Sequence, residues 1–146
     1  PVMAVLNALG RHVITLDQSG AGAVMKLAVN AMLHGINQSL AEAMTLAEAT
    51  GIAPESAFDV IEASAACAPM LQYRRPLYLD EAAHAVTFTV ALAQKDMGLA
   101  VDLARAHGVA TPQGHATLSM LSQAVEDGFG ERDMAAILNF MREAKL

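Results

Sequence analysis

From Leu27 to Ala41 the chain runs for fifteen residues without an aspartate, glutamate, lysine or arginine. That run lies inside a longer segment opened by Gly20-Ala21-Gly22 and closed by Gly51, as a turn and a C-terminal stop bound a helix. A helix from Ala23 to Ala49 is a rod about 40 Å long, at about 1.5 Å per residue. At about 100° per residue, Met25, Val29, Met32, Ile36, Leu40, Ala43 and Ala47 form one apolar stripe. Lys26, Asn30 and Asn37 fall together on a neighbouring strip, within roughly 40° of each other. A helix this apolar is expected to be buried on most sides, with the remaining helices packed around it. Lys26 then stands at the buried end of a central helix, where a lysine needs a partner.

Hydrophobic residues make up 54% of the 146 residues and charged residues 16%. Such a composition excludes disorder, and the length fits one domain. The apolar share also exceeds what a small monomer needs for its own core, so some apolar surface is expected to face another domain or subunit. The net charge of −6 and the 4% of aromatics leave no basic cluster beyond Arg74-Arg75 and no stacking platform, so no nucleic acid is expected. The charge-free run is too short for a membrane span and contains Asn30, His34, Asn37 and Gln38. One cysteine, Cys67, excludes an intrachain disulfide and fits a reducing, cytoplasmic compartment. The opening at Pro1, without a signal-peptide pattern, suggests a piece of something longer.

Along the chain, Val13-Ile14-Thr15-Leu16 is a short β-branched run that reads as an edge strand or extended lead-in. Pro54 suits the first turn of a helix that continues to about Ala66. A short helix over 68–73 is expected to end at Pro76. Thr89 can cap a helix running to about His107, with Gly108 as its stop. Thr111-Pro112 starts another that runs to Asp127, before Gly128. Asp133 caps the last, whose apolar positions are Met134, Ile137, Leu138 and Met141. The expected fold is all-α, with about six helices and short connections.

Three constellations carry chemistry. Gly20-Ala21-Gly22 lacks the third glycine and the acidic strand end of a dinucleotide fingerprint, so that reading fails. Small residues at a helix start still let a ligand approach the backbone N–H groups. Lys26 and Asn30, four residues apart, stack on one face. Apolar surroundings disfavour an ammonium and turn such a lysine into an acid or base, with Asn30 holding it or the substrate. The bland alternative is a lysine that reaches to solvent. Lys95-Asp96-Met97-Gly98-Leu99-Ala100-Val101-Asp102 lies within a helix, where Gly98 suggests close approach of another group and Lys95 and Asp102 read as a solvated face. The five histidines show no metal-ligand spacing, and no metal site is expected. His34 reads as a packed or interface histidine, and Cys67 as a small core residue.

Gly20-x-Gly22-x-x-x-Lys26-x-x-x-Asn30 resembles the catalytic signature of the β-hydroxyacid dehydrogenases, the 3-hydroxyisobutyrate dehydrogenase group. Lys95-Asp96-Met97-Gly98-Leu99-Ala100 resembles that family's cofactor-side motif. The motifs occur in the family's order, and Phe88 and Thr111-Pro112 fit the same pattern. The chain departs at Asp17, where the family signature often begins with a glycine. The resemblance implies a helical C-terminal domain of the 6-phosphogluconate dehydrogenase type over 23–146, with 1–22 as the lead-in from a Rossmann domain. It implies oxidation of a β-hydroxy acid, or reduction of its semialdehyde, with NAD or NADP bound mainly by that other domain. In that scheme Lys26 is the general acid/base, Gly22 and Asn30 adjoin substrate, and Lys95 contacts cofactor with Asp96 as its support. A homo-oligomer is expected. Imine reductases share this architecture but usually lack the lysine, and 6-phosphogluconate dehydrogenases have a larger helical domain. The alternative from another class is a stand-alone helical dimerisation or interaction module without catalysis.

Overall fold

Helix α2 (Ala21–Ala49) is the axis of the computed structural model, which describes residues 2–144. Gly20 admits it with φ +82°, and Gly51 closes it with φ +88°, values that a side chain would strain. At the closing end, Ile52 N–H donates to the Ala47 carbonyl and Gly51 N–H to that of Glu48, so two terminal carbonyls are satisfied. Around α2 lie α3 (Pro54–Glu62), α4 (Pro69–Leu79), α5 (Val90–Ala106), α6 (Pro112–Ala124) and α7 (Ile137–Glu143), with α1 (Val2–Leu9) ahead of it. Short 3-10 turns cover Glu81–Ala83 and Met134–Ala136. The described residues hold no β-strand and no helix long and apolar enough to cross a membrane.

The core sits between the C-terminal half of α2 and helices α3 to α7. Phe58, Met44, Met97, Leu121, Ile137 and Leu138 are fully buried there. Polar groups inside it are matched. Tyr78 Oη donates to Asn37 Oδ1 at 2.6 Å, and Asn37 Nδ2 donates to the Met134 carbonyl at 2.9 Å. Asp133 is 1% exposed and takes Arg74 as an ion-pair partner. It also accepts from Thr87 N–H and Oγ1 and from Ala135 N–H, as the cap expected at that position. One side chain therefore ties α4, the segment before α5 and the approach to α7.

Several expectations are corrected. Of the two readings of residues 13–16, the edge strand is not formed; they run without regular structure in a lead-in that also contains α1. There are seven α-helices among the described residues rather than six. Helix α3 stops at Glu62, short of Ala66. Helix α4 continues through Pro76 to Leu79, because only one further turn follows and its Leu77 and Tyr78 are buried in the core. Helix α6 ends at Ala124, and a wider turn over Val125–Phe129 takes the place of its last residues. Gly98 is not a close approach, since a side-chain carbon there would meet only Leu118 at 4.0 Å. The apolar stripe of α2 also splits. Leu40 is buried, but Met25, Val29 and Met32 are exposed, so apolarity there is not matched by packing within 2–144.

Candidate active site

The first half of α2 crosses α5, and both motifs meet at the crossing. Lys26 and Asn30 project from α2 one turn apart, and Asp96 faces them from α5. Lys26 Nζ donates to Asp96 Oδ2 at 2.5 Å, and Asn30 Nδ2 donates to the same oxygen at 2.7 Å. The pair is unequally placed, with 54% of the Lys26 side chain exposed against 7% of Asp96. Burial pushes the Asp96 carboxyl up, but the hydrogen bonds from Lys26 and Asn30, with the charges of Lys26 and Lys95, outweigh it and hold the group below its ordinary value. The site thus presents a fixed carboxylate under a half-exposed ammonium. The expected burial of Lys26 is corrected: residues 2–144 supply its partner but leave it wet.

The other candidates are distributed around this pair. Asp96, expected to support Lys95, bonds to Lys26 and Asn30 instead. Lys95, next to Asp96 in α5, is exposed and makes no ion pair among the described residues. Gly22 lies on the open first turn of α2, with nothing within 4 Å of where a side chain would start. Asp102 pairs with Arg105 at 2.9 Å on an exposed face, as the bland reading of that stretch has it. Among the described residues no cluster of three His, Cys, Asp or Glu can hold a metal. Cys67 is a free, half-buried thiol against the core.

One turn beyond Asn30, His34 is 4% exposed and stacks on Phe88 with ring centroids 5.8 Å apart. Burial lowers its ring to about 4, with Asp96 opposing and Lys26 and Arg74 assisting, so the imidazole is neutral near pH 7. Of the two settings expected for His34, packed or interface, residues 2–144 show it packed, and nothing in its sequence links Arg74 to it. The signal was present for His34, which repeats the four-residue spacing of Lys26 and Asn30, but not for Arg74, which arrives from α4.

A family model described as NAD-binding of NADP-dependent 3-hydroxyisobutyrate dehydrogenase matches residues 20–141. The chain belongs to the 3-hydroxyisobutyrate dehydrogenase family. Within it, the chain is 29% identical over 140 residues to glyoxylate/succinic semialdehyde reductase 2, chloroplastic, of Arabidopsis thaliana, covering 96% of this chain and 39% of that protein. It is 33% identical over 138 residues to 3-sulfolactaldehyde reductase of Escherichia coli, covering 94% of this chain and 46% of that protein. A solved 3-hydroxyisobutyrate dehydrogenase from Salmonella typhimurium superposes with a TM-score of 0.76 at 30% identity, over 85% of this chain and 43% of that one. The chain therefore spans less than half the length of these members of the 3-hydroxyisobutyrate dehydrogenase family.

Proposed function

We propose that the chain is the C-terminal helical domain of an NAD(P)-dependent oxidoreductase that interconverts a β-hydroxy acid and its semialdehyde. One observation carries this reading: two motifs 70 residues apart converge on a single carboxylate oxygen, with Lys26 beside it and open to a substrate. The names of the relatives point to the same class of carbonyl and hydroxyl substrates.

Hydride exchange is the chemistry that a nicotinamide cofactor supplies when bound. This chain supplies orientation and a proton. In oxidation Lys26 acts as the neutral amine, its resting ammonium having first lost a proton to solvent; Nζ takes the hydroxyl proton, the O–H bond breaks, and C=O forms as the carbinol carbon gives up its hydride. Asp96 stabilises the ammonium so formed. In reduction the same proton returns to the carbonyl oxygen. Asn30 does not titrate; it fixes Asp96 through Nδ2 and leaves Oδ1 for the substrate. Lys95 suits the cofactor side, and the open turn at Gly22 suits the approach of substrate. The half-exposed Lys26 implies that a second domain covers it during turnover, with residues 1–22 as the lead-in from that domain. The exposed apolar residues of α1 and of the first half of α2 support packing against that domain and a second copy of the chain. The lone Cys67 supports a cytoplasmic setting.

The test is Lys26→Ala in the full-length polypeptide. We expect kcat to fall by about 10² or more with cofactor affinity little changed. Lys26→Arg should rescue poorly, because a guanidinium stays protonated. Near-normal kcat with lost cofactor binding would move Lys26 out of the chemical step.

A further inference from the structure

Within the packed molecule the apolar residues of α2 divide between two faces. Leu40 and Ala47 turn into the core. Met25, Val29 and Met32 stay outside, and the outward face continues through half-buried Ile36 to exposed Ser39, Ala43 and Leu46. Met32 is 64% exposed and Leu46 69%, so residues 2–144 cover neither. The steps along this face alternate between four and three residues from Met25 to Leu46. A repeat of about 3.5 residues held over three heptads is the period of a seam against a second helix. On a helix of about 3.6 residues per turn such a seam drifts by about 20° per heptad, so the partner helix crosses at a shallow angle.

Apolarity does not name that partner; the order of sizes and charges along the face does. The wide residues Met25, Val29 and Met32 stand in the first half, and the narrow ones, Ser39 and Ala43, in the second. A second α2 running the opposite way, about a two-fold axis beside Ile36, sets wide against narrow. Met32 then meets Ser39 of the second copy, Val29 meets its Ala43, and Met25 meets its Leu46 at the ends. A parallel pair crowds Met32 against Met32 and leaves a gap between the two Ala43. Charge agrees with the antiparallel pair. The one lysine of α2, Lys26, is in its first half, and its two acids, Glu42 and Glu48, are in its second. Opposite directions bring unlike charges and unlike helix-dipole ends side by side.

The area suffices as well. From Met25 to Leu46 the face is about 33 Å long, and the outward half of a helix about 12 Å across offers roughly 600 Å² over that length. Two copies then bury about 1,200 Å², the lower end of a stable interface. Lys26 and Asn30 lie about 100° or more round the helix from Met25, on the strip that meets Asp96 of α5, so a helix on the seam leaves the amine open.

We propose that the outward face of α2 is a two-fold seam that pairs, antiparallel, with α2 of a second copy of this chain, in the register that puts Ile36 at the axis. This deepens the reading above, on which it rests for the second copy, and adds the face, the direction and the register. The two copies of Lys26 then stand about 29 Å apart along the seam, so each copy keeps its own reacting amine.

The experiment uses the full-length polypeptide in a background without native cysteines, Cys67→Ser included. A short bismaleimide should join two copies of Ile36→Cys. Met25→Cys alone and Leu46→Cys alone should stay unjoined, since like positions stand about 32 Å apart along the seam. The double variant Met25→Cys/Leu46→Cys should be joined between copies. Cross-linking of Met25→Cys alone means a parallel seam, and failure of Ile36→Cys or of the double variant means another cover for this face; each overturns the proposal. Light scattering on the polypeptide with its cysteines intact guards against a cysteine variant that does not fold. Met32→Glu, at an exposed position, should keep its far-ultraviolet helix signal and halve the particle mass. A wild-type monomer at micromolar concentration, or a folded Met32→Glu of unchanged mass, overturns the seam. Activity separates this result from the dehydrogenase reading. The expected cross-links in a polypeptide that oxidises no β-hydroxy acid keep the seam and refute that reading, whereas oxidation without those cross-links keeps the reading and refutes the seam.

Discussion

Two aspartates in this chain each hold a cation, and their surroundings set them to different work. Asp133 is enclosed: Arg74, Thr87 and Ala135 supply donors to both carboxylate oxygens, and the arginine it pairs with is itself buried. Asp96 is buried too, but both of its donors fall on one oxygen, and the lysine above it is half in solvent. The first arrangement leaves nothing for an outside molecule to do. The second leaves an ammonium accessible on a rigid base. Saturation of hydrogen bonds fixes a fold, whereas a controlled shortfall creates a place for chemistry.

Removing each carboxylate separates the two roles. Asp133→Ala strands a buried guanidinium and should cost about 3–5 kcal/mol of stability, read as a lower denaturation midpoint in urea. A cost below about 1 kcal/mol would show that the enclosed pair is no lock. Asp96→Asn should do the reverse. Because Lys26 is already hydrated, stability should change by less than about 1 kcal/mol, the scale of exposed pairs. Misplacement of the lysine should still lower kcat about 10²-fold in the full-length polypeptide. Equal damage to stability from both substitutions would erase the distinction.

Acid sharpens the comparison further, with a smaller effect. Both carboxyls sit below the ordinary 3.8: burial raises each, and bonds and charges outweigh it, from Lys26 and Asn30 at Asp96, and from Ala135, Thr87 and Arg74 at Asp133. A depressed folded value means stability that is present above the unfolded value and lost as pH falls through the folded one. The stability gap between wild type and Asp133→Ala should therefore narrow as pH drops below about 4, the unfolded carboxyl value. Urea melts at pH 7 and pH 3 measure it. A gap that widens in acid would contradict the sign.

What the sequence made legible was local. Lys26 and Asn30 are one turn apart on a single helix, so their shared face follows from helical spacing alone. Asp133 was legible as a cap for the same reason, since its position just before an apolar helix start suffices. Their partners were not legible in this way. Asp96 reaches Lys26 only because α5 crosses α2 at that level, and Arg74 reaches Asp133 only because α4 folds back beside α7's approach. Nothing in spacing encodes such crossings. The exposed Met25, Val29 and Met32 mark the same boundary: a stripe reports that a surface is apolar, not which surface will meet it.

The separation between Lys26 and Asp96 also has a temporal side. Seventy residues divide them, so a growing chain holds the lysine well before it holds the acid. At roughly 5–20 residues per second on the ribosome, the interval is about 4–14 s. During that time the start of α2 has its methionines, valines and lysine but no α5 to lie across. The pair therefore closes only after the segments between its two members have been synthesised.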